Sequence, residues 1–353
     1  MQEVNNSEIK FTTGLLQWNK AENNRQMPWK GEKDPYKIWL SEVILQQTRV
    51  EQGWKYYNQF VEAFPTVHHL AKAPEQQVFK LWEGLGYYTR CANLIATAKY
   101  ISEELSGKFP SSYEGILGLK GVGPYTAAAI GSFAFNLPYA VLDGNVYRVL
   151  SRVFDIEIPI DSTEGKHHFN ALANKLLPPK KAGEYNQAIM DFGATICKPQ
   201  PECAHCFFSK SCAAFLQNKQ LALPVKEKRT AVKERWFYYF IIKCSGLYAI
   251  HQRTEKDIWK NLFEFLLIEG EKKETEERLM IQLKKSFGIK ALPASLSFLQ
   301  ETKQRLSHQI IHFSFYELIL NKQPAIPSLL WISKADFALY PFPKSLAHVV
   351  SEL

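Results

Sequence analysis

From residue 7 to residue 220, apolar positions recur at helical spacing and turn residues punctuate the segments. Asp34-Pro35 is a helix start, with a capping Asp followed by Pro at the first helical position. The pattern carries that helix past Gln46. Phe64-Pro65-Thr66 opens another helix, and Glu83-Gly84-Leu85-Gly86 closes a later one. Tyr87 to Leu105 reads as a further helix, ended by Ser106-Gly107. Alternating strand patterns are missing before residue 230.

Beyond that point the pattern changes. Leu223-Pro224 and the charged run Lys226 to Lys233 predict a linker. Two aromatic and β-branched runs follow, Trp236 to Ile242 and Leu247 to Ile250. Ser245-Gly246 separates them, which predicts a hairpin. Glu274 to Phe287 has the pattern of an amphipathic helix, and Gln309 to Leu320 that of another strand. The chain thus divides into a helical domain, 1–225, and a smaller α+β domain, 226–353. It has no internal repeat and no low-complexity tract.

Composition narrows the functional classes. The 353 residues are 46% hydrophobic and 22% charged, as in ordinary globular proteins, and the length suits two domains. No apolar run is long enough for a membrane span, and the polar segment Met1 to Lys10 does not read as a signal peptide. A cytoplasmic protein with reduced or metal-bound cysteines is expected. The net charge of +8 favours a polyanionic partner, with nucleic acid first. Residues 226–353 hold 20 Lys+Arg and 14 Asp+Glu, so they supply +6 of that total.

Four of the six cysteines fall close together as C-x5-C-x2-C-x5-C: Cys197, Cys203, Cys206 and Cys212. Four thiols in one loop suit a tetrahedral zinc ion or a cubane cluster. Zinc ribbons usually show two separated CxxC pairs. The single CxxC flanked by lone cysteines favours [4Fe–4S]. Cys91 and Cys244 read as small core residues.

Two further patterns bear chemistry. Gly121-Val122-Gly123 stands between a helix over Ser112 to Leu119 and a small-residue helix over Ala127 to Phe135. Glycines before a helix N-terminus let backbone N–H groups approach a phosphate, although a plain tight turn looks the same. Glu42 sits in an apolar stripe with Ile38, Trp39 and Leu45. Desolvation there would favour the neutral acid, unless the side chain reaches water. Asp143 precedes Gly144-Asn145 and a helix through Val153, the position of an N-cap whose N–H partners would keep it ionised.

Together these segments resemble a known superfamily, the endonuclease III type of helix-hairpin-helix base-excision glycosylase, and within it the MutY-type adenine DNA glycosylases. The matching stretches are Leu40-Ser41-Glu42-Val43-Ile44-Leu45-Gln46-Gln47-Thr48, Trp82 to Tyr88, Gly121 to Thr126, and Leu142-Asp143-Gly144-Asn145-Val146. They stand in family order across roughly residues 25–215. The resemblance implies a mainly α helix-hairpin-helix glycosylase domain with a four-Cys iron–sulfur loop, then an α+β Nudix-like C-terminal domain.

It also implies roles. Glu42 would protonate the adenine, Asp143 would stabilise the sugar cation, and Tyr125 and Asn145 would hold these groups in place. Arg25, Met27 and Trp29 would line the adenine pocket. Gln47 and Tyr87 would fill the vacated base stack, since the target base must be flipped out. Gly121, Val122 and Gly123 would grip DNA phosphate. Cys197, Cys203, Cys206 and Cys212 would hold a [4Fe–4S] cluster. Bifunctional relatives place a nucleophilic Lys where this chain has Tyr125, so base removal by water is expected; Lys120 stands nearby, on the other side of the glycines, and leaves a weak residual lyase activity open.

Leu247 to Arg253 and Asn261-Leu262-Phe263-Glu264-Phe265 resemble the Nudix-like domain, and the hydrolytic Nudix box is missing from the sequence. Leu306-Ser307-His308 matches the family's Phe-Ser-His loop, which reads 8-oxoguanine. The implied partner is double-stranded DNA with A:8-oxoguanine or A:G mispairs, bound by a monomer in the cytoplasm, at the nucleoid of a bacterium. No membrane association is expected. Three positions depart from the pattern: a five-residue first cysteine gap where six is usual, Lys30 for Arg, and Leu306 for Phe. The competing readings are a bifunctional pyrimidine-damage glycosylase with lyase activity and a non-catalytic iron–sulfur damage-binding protein.

Overall fold

The computed structural model describes residues 6–227, 232–287, 289, 292 and 295–353. Twelve α-helices precede residue 217 among the described residues. They are α1 (Asn6–Ala21), α2 (Pro35–Leu45), α3 (Val50–Ala63), α4 (Val67–Lys72), α5 (Glu75–Leu81), α6 (Thr89–Glu103), α7 (Tyr113–Leu117), α8 (Pro124–Phe135), α9 (Gly144–Val153), α10 (Thr163–Leu176), α11 (Ala182–Thr195) and α12 (Ala213–Leu216). The chain then forms strands β1 (Lys233–Cys244), β2 (Leu247–Gln252), β3 (Phe263–Glu264) and β4 (Leu266–Gly270). Helix α13 (Glu276–Phe287), strands β5 (Ser297–Arg305), β6 (Gln309–Ile319) and β7 (Leu330–Ile332), and helix α14 (Lys344–Glu352) complete it.

Two compact units result: residues 1–72 with 93–228, and residues 73–92 with 229–353. The expected division at 225 places segment 73–92 in the helical domain, whereas it groups with the second unit. The reason lies in its partners. Gln76 Nε2 and Lys80 Nζ donate to the carbonyls of Leu339 and Tyr340, at 2.7 and 3.0 Å. The Glu83 carboxylate accepts from Phe342 N at 2.8 Å. Part of the predicted linker, residues 228–231, lies outside the described residues.

The first unit is built on buried aromatics. Phe11, Leu15 and Trp18 of α1 pack with Val149 and Leu150 of α9, Phe169 of α10, and Tyr185 and Phe192 of α11. Trp18 meets Phe192 edge-on, with centroids 4.9 Å apart. The small residues Ala127, Ala128 and Ala129 let α8 be buried on several sides. Proline at its first position and Gly123 as N-cap start α8 three residues earlier than the small-residue pattern suggests.

Other helix ends differ from expectation at residues with left-handed backbone. Helix α2 stops at Leu45, not past Gln46, because Gln47 takes φ 57°. Helix α6 begins at Thr89, not Tyr87, because Tyr87 takes φ 48°. Gly84 and Gly86, at φ 93° and 73°, make the turn after α5. The first hairpin helix spans only Tyr113–Leu117, with the Ser112 hydroxyl accepting from Gly115 N.

The second unit holds a seven-stranded sheet with order β3-β2-β1-β6-β5, while β4 pairs with β1 and β7 with β2. Strand β1 runs antiparallel to β2 and parallel to β6. The predicted hairpin between β1 and β2 is present, and Ser245 and Gly246 take φ 50° and 79°. Along β1, Phe237, Tyr239 and Ile241 join one core with Leu346 and Val349 of α14. Tyr238, Phe240 and Ile242 join the other with Leu279 and Leu283 of α13. A strand covered on both faces reads as a continuous apolar run, which is what the sequence shows.

Gly193 of α11 is where α11 meets α9. A Cβ there would stand 2.7 Å from Asn145 Cβ and 3.0 Å from its carbonyl oxygen. Gly193→Ala should therefore overpack the junction and cost about 1–3 kcal/mol. Thermal unfolding should report a midpoint several degrees lower; an unchanged midpoint would contradict this packing.

Candidate active site

Helix α2 lies against α8, and the packing encloses a carboxyl group. Glu42 is 6% exposed, between buried Ser41 and Val43. Burial raises its pKa to about 7, a hydrogen bond from the Tyr125 hydroxyl opposes the rise, and the nearby Asp143 charge adds to it. Tyr125 is the second residue of α8, and its hydroxyl also stands 4.0 Å from Met190 Sδ of α11. Burial and the two carboxylates push the tyrosine pKa well above its ordinary value, so the phenol stays a neutral donor.

Asp143 caps α9. Its Oδ1 accepts from the backbone N–H groups of Asn145 and Val146 at 2.9 and 2.8 Å. Its Oδ2 accepts from Asn145 Nδ2 at 2.7 Å. The N-cap expectation is therefore met. Burial raises its pKa, and these three hydrogen bonds together with the Arg148 charge oppose the rise. Asn145 is held in turn by Arg148, whose Nη2 reaches Asn145 Oδ1 and Gly193 O at 2.8 Å. Arg148 Nε donates to Cys197 O at 2.7 Å.

A cavity of about 900 Å³ opens onto these groups. It is lined by Glu42, Tyr125, Asp143 and Asn145, and also by Arg25, Met27, Trp29 and Gln47. Gly121 and Gly123 reach the same cavity, while Val122 is buried beside it. Gly121 takes φ 79°, and a Cβ there would meet Asn93 at 2.7 Å. Nothing lies within 4 Å of where a Gly123 Cβ would be, so the α8 N-terminus is open to approach.

Sequence reasoning missed Asp191. This α11 residue has no exposed surface, yet it accepts from Arg25 Nη1 at 2.9 Å, Asn23 Nδ2 at 2.9 Å and Gln187 Nε2 at 3.0 Å. Lys30 Nζ stands 3.0 Å from it and donates to Arg25 O at 2.8 Å. One buried carboxylate thus fastens the segment that carries Arg25, Met27 and Trp29. The available signal was an Asp within the apolar stretch Ala188 to Phe192.

Tyr87, Leu306, Ser307 and His308 do not line this cavity and belong to the second unit. Within that unit the Tyr87 hydroxyl lies 2.5 Å from Ser307 Oγ. Residues 306–308 form the turn between β5 and β6, closed by Leu306 N donating to Gln309 O. Leu306 packs on the sheet core, and Ser307 and His308 are exposed.

The four clustered cysteines gather after α11 and line one small apolar cavity with Arg152, Phe192 and Phe208. All four are free thiols, and burial pushes Cys206 up to about 11. Among the described residues no group of three or more His, Cys, Asp or Glu side chains is spaced to hold a single metal ion. Four soft donors around one cavity nonetheless fit a thiolate-ligated cluster in chemistry and number.

A family model described as HhH-GPD superfamily base excision DNA repair protein matches residues 40–179, and a NUDIX domain model matches residues 238–352. An adenine DNA glycosylase of Buchnera aphidicola subsp. Baizongia pistaciae is 33% identical over 316 residues, covering 88% of this chain and 87% of that protein. The mouse adenine DNA glycosylase is 32% identical, covering 93% and 74%. The chain belongs to the adenine DNA glycosylase family. Among solved structures, a thermostable thymine-DNA glycosylase matches 60% of this chain and 97% of its own, at TM-score 0.56 and 29% identity. A trapped endonuclease III–DNA covalent intermediate matches 61% and 99%, at TM-score 0.53 and 18% identity, and shares the fold. In this adenine glycosylase family member no helix among the described residues is long and apolar enough to cross a membrane.

The buried acid has a thermodynamic signature. Glu42 has a folded pKa raised above its ordinary 4.5, so its protonated form stabilises the fold below that value, and the contribution is lost as pH rises through about 7. Glu42→Gln removes the ionisation. The variant should match the native protein near pH 4.5 and exceed it by up to about 3 kcal/mol above pH 7, from 1.36 kcal/mol per pKa unit. Denaturant unfolding at both pH values checks this; equal stabilities at high pH would show that Glu42 is solvated.

Proposed function

We propose that this chain removes adenine mispaired with 8-oxoguanine or guanine in double-stranded DNA, as a monofunctional glycosylase of base excision repair. The observation that carries the reading is the buried Glu42, its pKa raised to about 7, beside Tyr125 and Asp143 on one cavity large enough for a flipped base.

The chemistry follows from the environments. Glu42 is protonated in a large fraction of molecules near neutral pH and donates that proton to a ring nitrogen of adenine. The C1′–N9 bond then breaks, its electron pair leaves with the base, and positive charge develops on the sugar. Asp143 receives three hydrogen bonds and faces the charge of Arg148, all of which favour its ionised form. It is the carboxylate that meets the oxocarbenium ion. Since Tyr125 offers no amine for a Schiff base, water adds at C1′ and gives its proton to the Glu42 carboxylate, which regenerates the acid. Asn145 orients Asp143, and Arg25, Met27 and Trp29 surround the base. Gln47 and Tyr87 support the emptied stack, and the Gly121-Val122-Gly123 turn takes a phosphate on its N–H groups.

Leu306, Ser307 and His308 contact the opposite base, with the serine hydroxyl and imidazole as hydrogen-bonding groups. Residues Cys197, Cys203, Cys206 and Cys212 hold a [4Fe–4S] cluster, which when bound supplies iron–thiolate bonds that fix the loop. The protein works as a monomer in the cytoplasm, at the nucleoid. Its two domains divide near residue 225, with segment 73–92 reaching across in sequence to the second unit.

The test is base release from duplexes with adenine opposite 8-oxoguanine, G, C and T. The native chain should release adenine from the first two and give no borohydride-trapped adduct. Glu42→Gln should bind the same duplexes and lower the single-turnover rate by at least about 100-fold, the usual contribution of a general acid. Undiminished release by Glu42→Gln would remove the proposed acid. Adduct formation as fast as base release would establish the lyase reading instead.

A further inference from the structure

Arg152 is a buried cation whose partners do not explain it. The residue is 3% exposed, on the last turn of α9. Its Nε donates to Leu223 O at 3.1 Å, its Nη1 to Lys198 O at 2.7 Å, and its Nη2 to Pro199 O at 3.0 Å. Nη1 also lies 3.5 Å from Cys197 Sγ. The Cys212 thiol donates back to Arg152 O at 3.3 Å. None of these partners is a carboxylate, and the side chain lines the cavity that the four cysteines share.

Carbonyl oxygens satisfy the donors of a guanidinium but leave its charge uncompensated. Such a buried charge costs several kcal/mol unless an anion accompanies it. Four thiolates around an iron–sulfur core carry net negative charge at this place. The fork of Arg152 also grips the two residues that follow Cys197, which begin the five-residue gap to Cys203. A planar fork can hold two adjacent carbonyls and face a sulfur at once, whereas a lysine ammonium cannot match that geometry.

We infer that Arg152 is the positioning residue of the cysteine loop: it clamps the Cys197–Cys203 gap and supplies the buried counter-charge for a thiolate-ligated cluster. The inference rests on the proposed cluster. Arg148, one turn earlier, touches only the first loop residue, through Cys197 O, and turns the rest of its fork to Asn145 and Gly193, whereas Arg152 holds the two residues that follow. The clamp sets how firmly iron is held, and its failure should be visible without any turnover.

The experiment compares the full-length native chain with Arg152→Lys, which keeps the charge and most of the stem, and Arg152→Gln, which keeps neither. Iron per chain, visible absorption, the rate of iron loss to a chelator, and helical far-UV circular dichroism are measured for each. Both variants should lose iron to the chelator about tenfold faster, the usual scale for removing a group that supports metal ligands, with Arg152→Gln the more impaired. The Arg152→Lys helical signal should be unchanged. Iron retention by Arg152→Lys equal to the native chain overturns the clamp. So does iron loss that occurs only together with lost helical signal, since it marks a general folding role. A native chain purified without iron overturns the cluster and the clamp with it, whereas an iron-loaded native chain beside an equally loaded Arg152→Lys overturns the clamp alone.

Discussion

The site depends on one unfavourable act, the burial of the Glu42 carboxyl between α2 and α8. The packing of a strongly apolar helix on a helix of small residues removes water from this group and raises its pKa to about 7. One hydrogen bond from Tyr125 does not offset that loss. An acid whose pKa lies near neutrality, and so keeps a large protonated fraction at physiological pH, is suited to protonate a leaving base at an N-glycosidic bond. The stability given up at Glu42 is supplied elsewhere by the Trp18–Phe192 core and its neighbours.

The second carboxylate is handled differently, although it too is buried. Asp143 sits at a helix start, where backbone N–H groups and the Asn145 amide converge on it. Arg148 braces Asn145 and at the same time holds the carbonyl of Cys197. The start of the cysteine loop and the Asp143 carboxylate are therefore two ends of one hydrogen-bonded chain. Gly193 permits this by letting α11 approach Asn145 without a side chain between them.

Much of this was legible in the sequence because it rests on local rules. Asp34-Pro35, the Asp143 cap and the Ser245-Gly246 hairpin follow from capping and turn chemistry, and each appears as expected. Glu42 was visible as a charge in an apolar stripe. What escaped was non-local. Gln47 and Tyr87 end or precede helices through left-handed backbone that periodicity cannot signal. Segment 73–92 joins the second unit through hydrogen bonds spanning more than 250 positions. Asp191 gathers Arg25 and Lys30 from 160 and more residues away, and no spacing rule pairs them. Short strands such as β3 and β7 exist because β2 offers an edge.

The central claim is that burial holds the Glu42 pKa near 7, so that a large share of it stays protonated at neutral pH. Isotope-edited infrared or carbon NMR titration of the free protein observes that proton directly, with Glu42→Gln used to assign the carboxyl signal. The account predicts a transition near pH 7, well above the ordinary 4.5 of a glutamate. A Glu42 signal that titrates at the ordinary value would contradict it, and would leave the cavity without its acid.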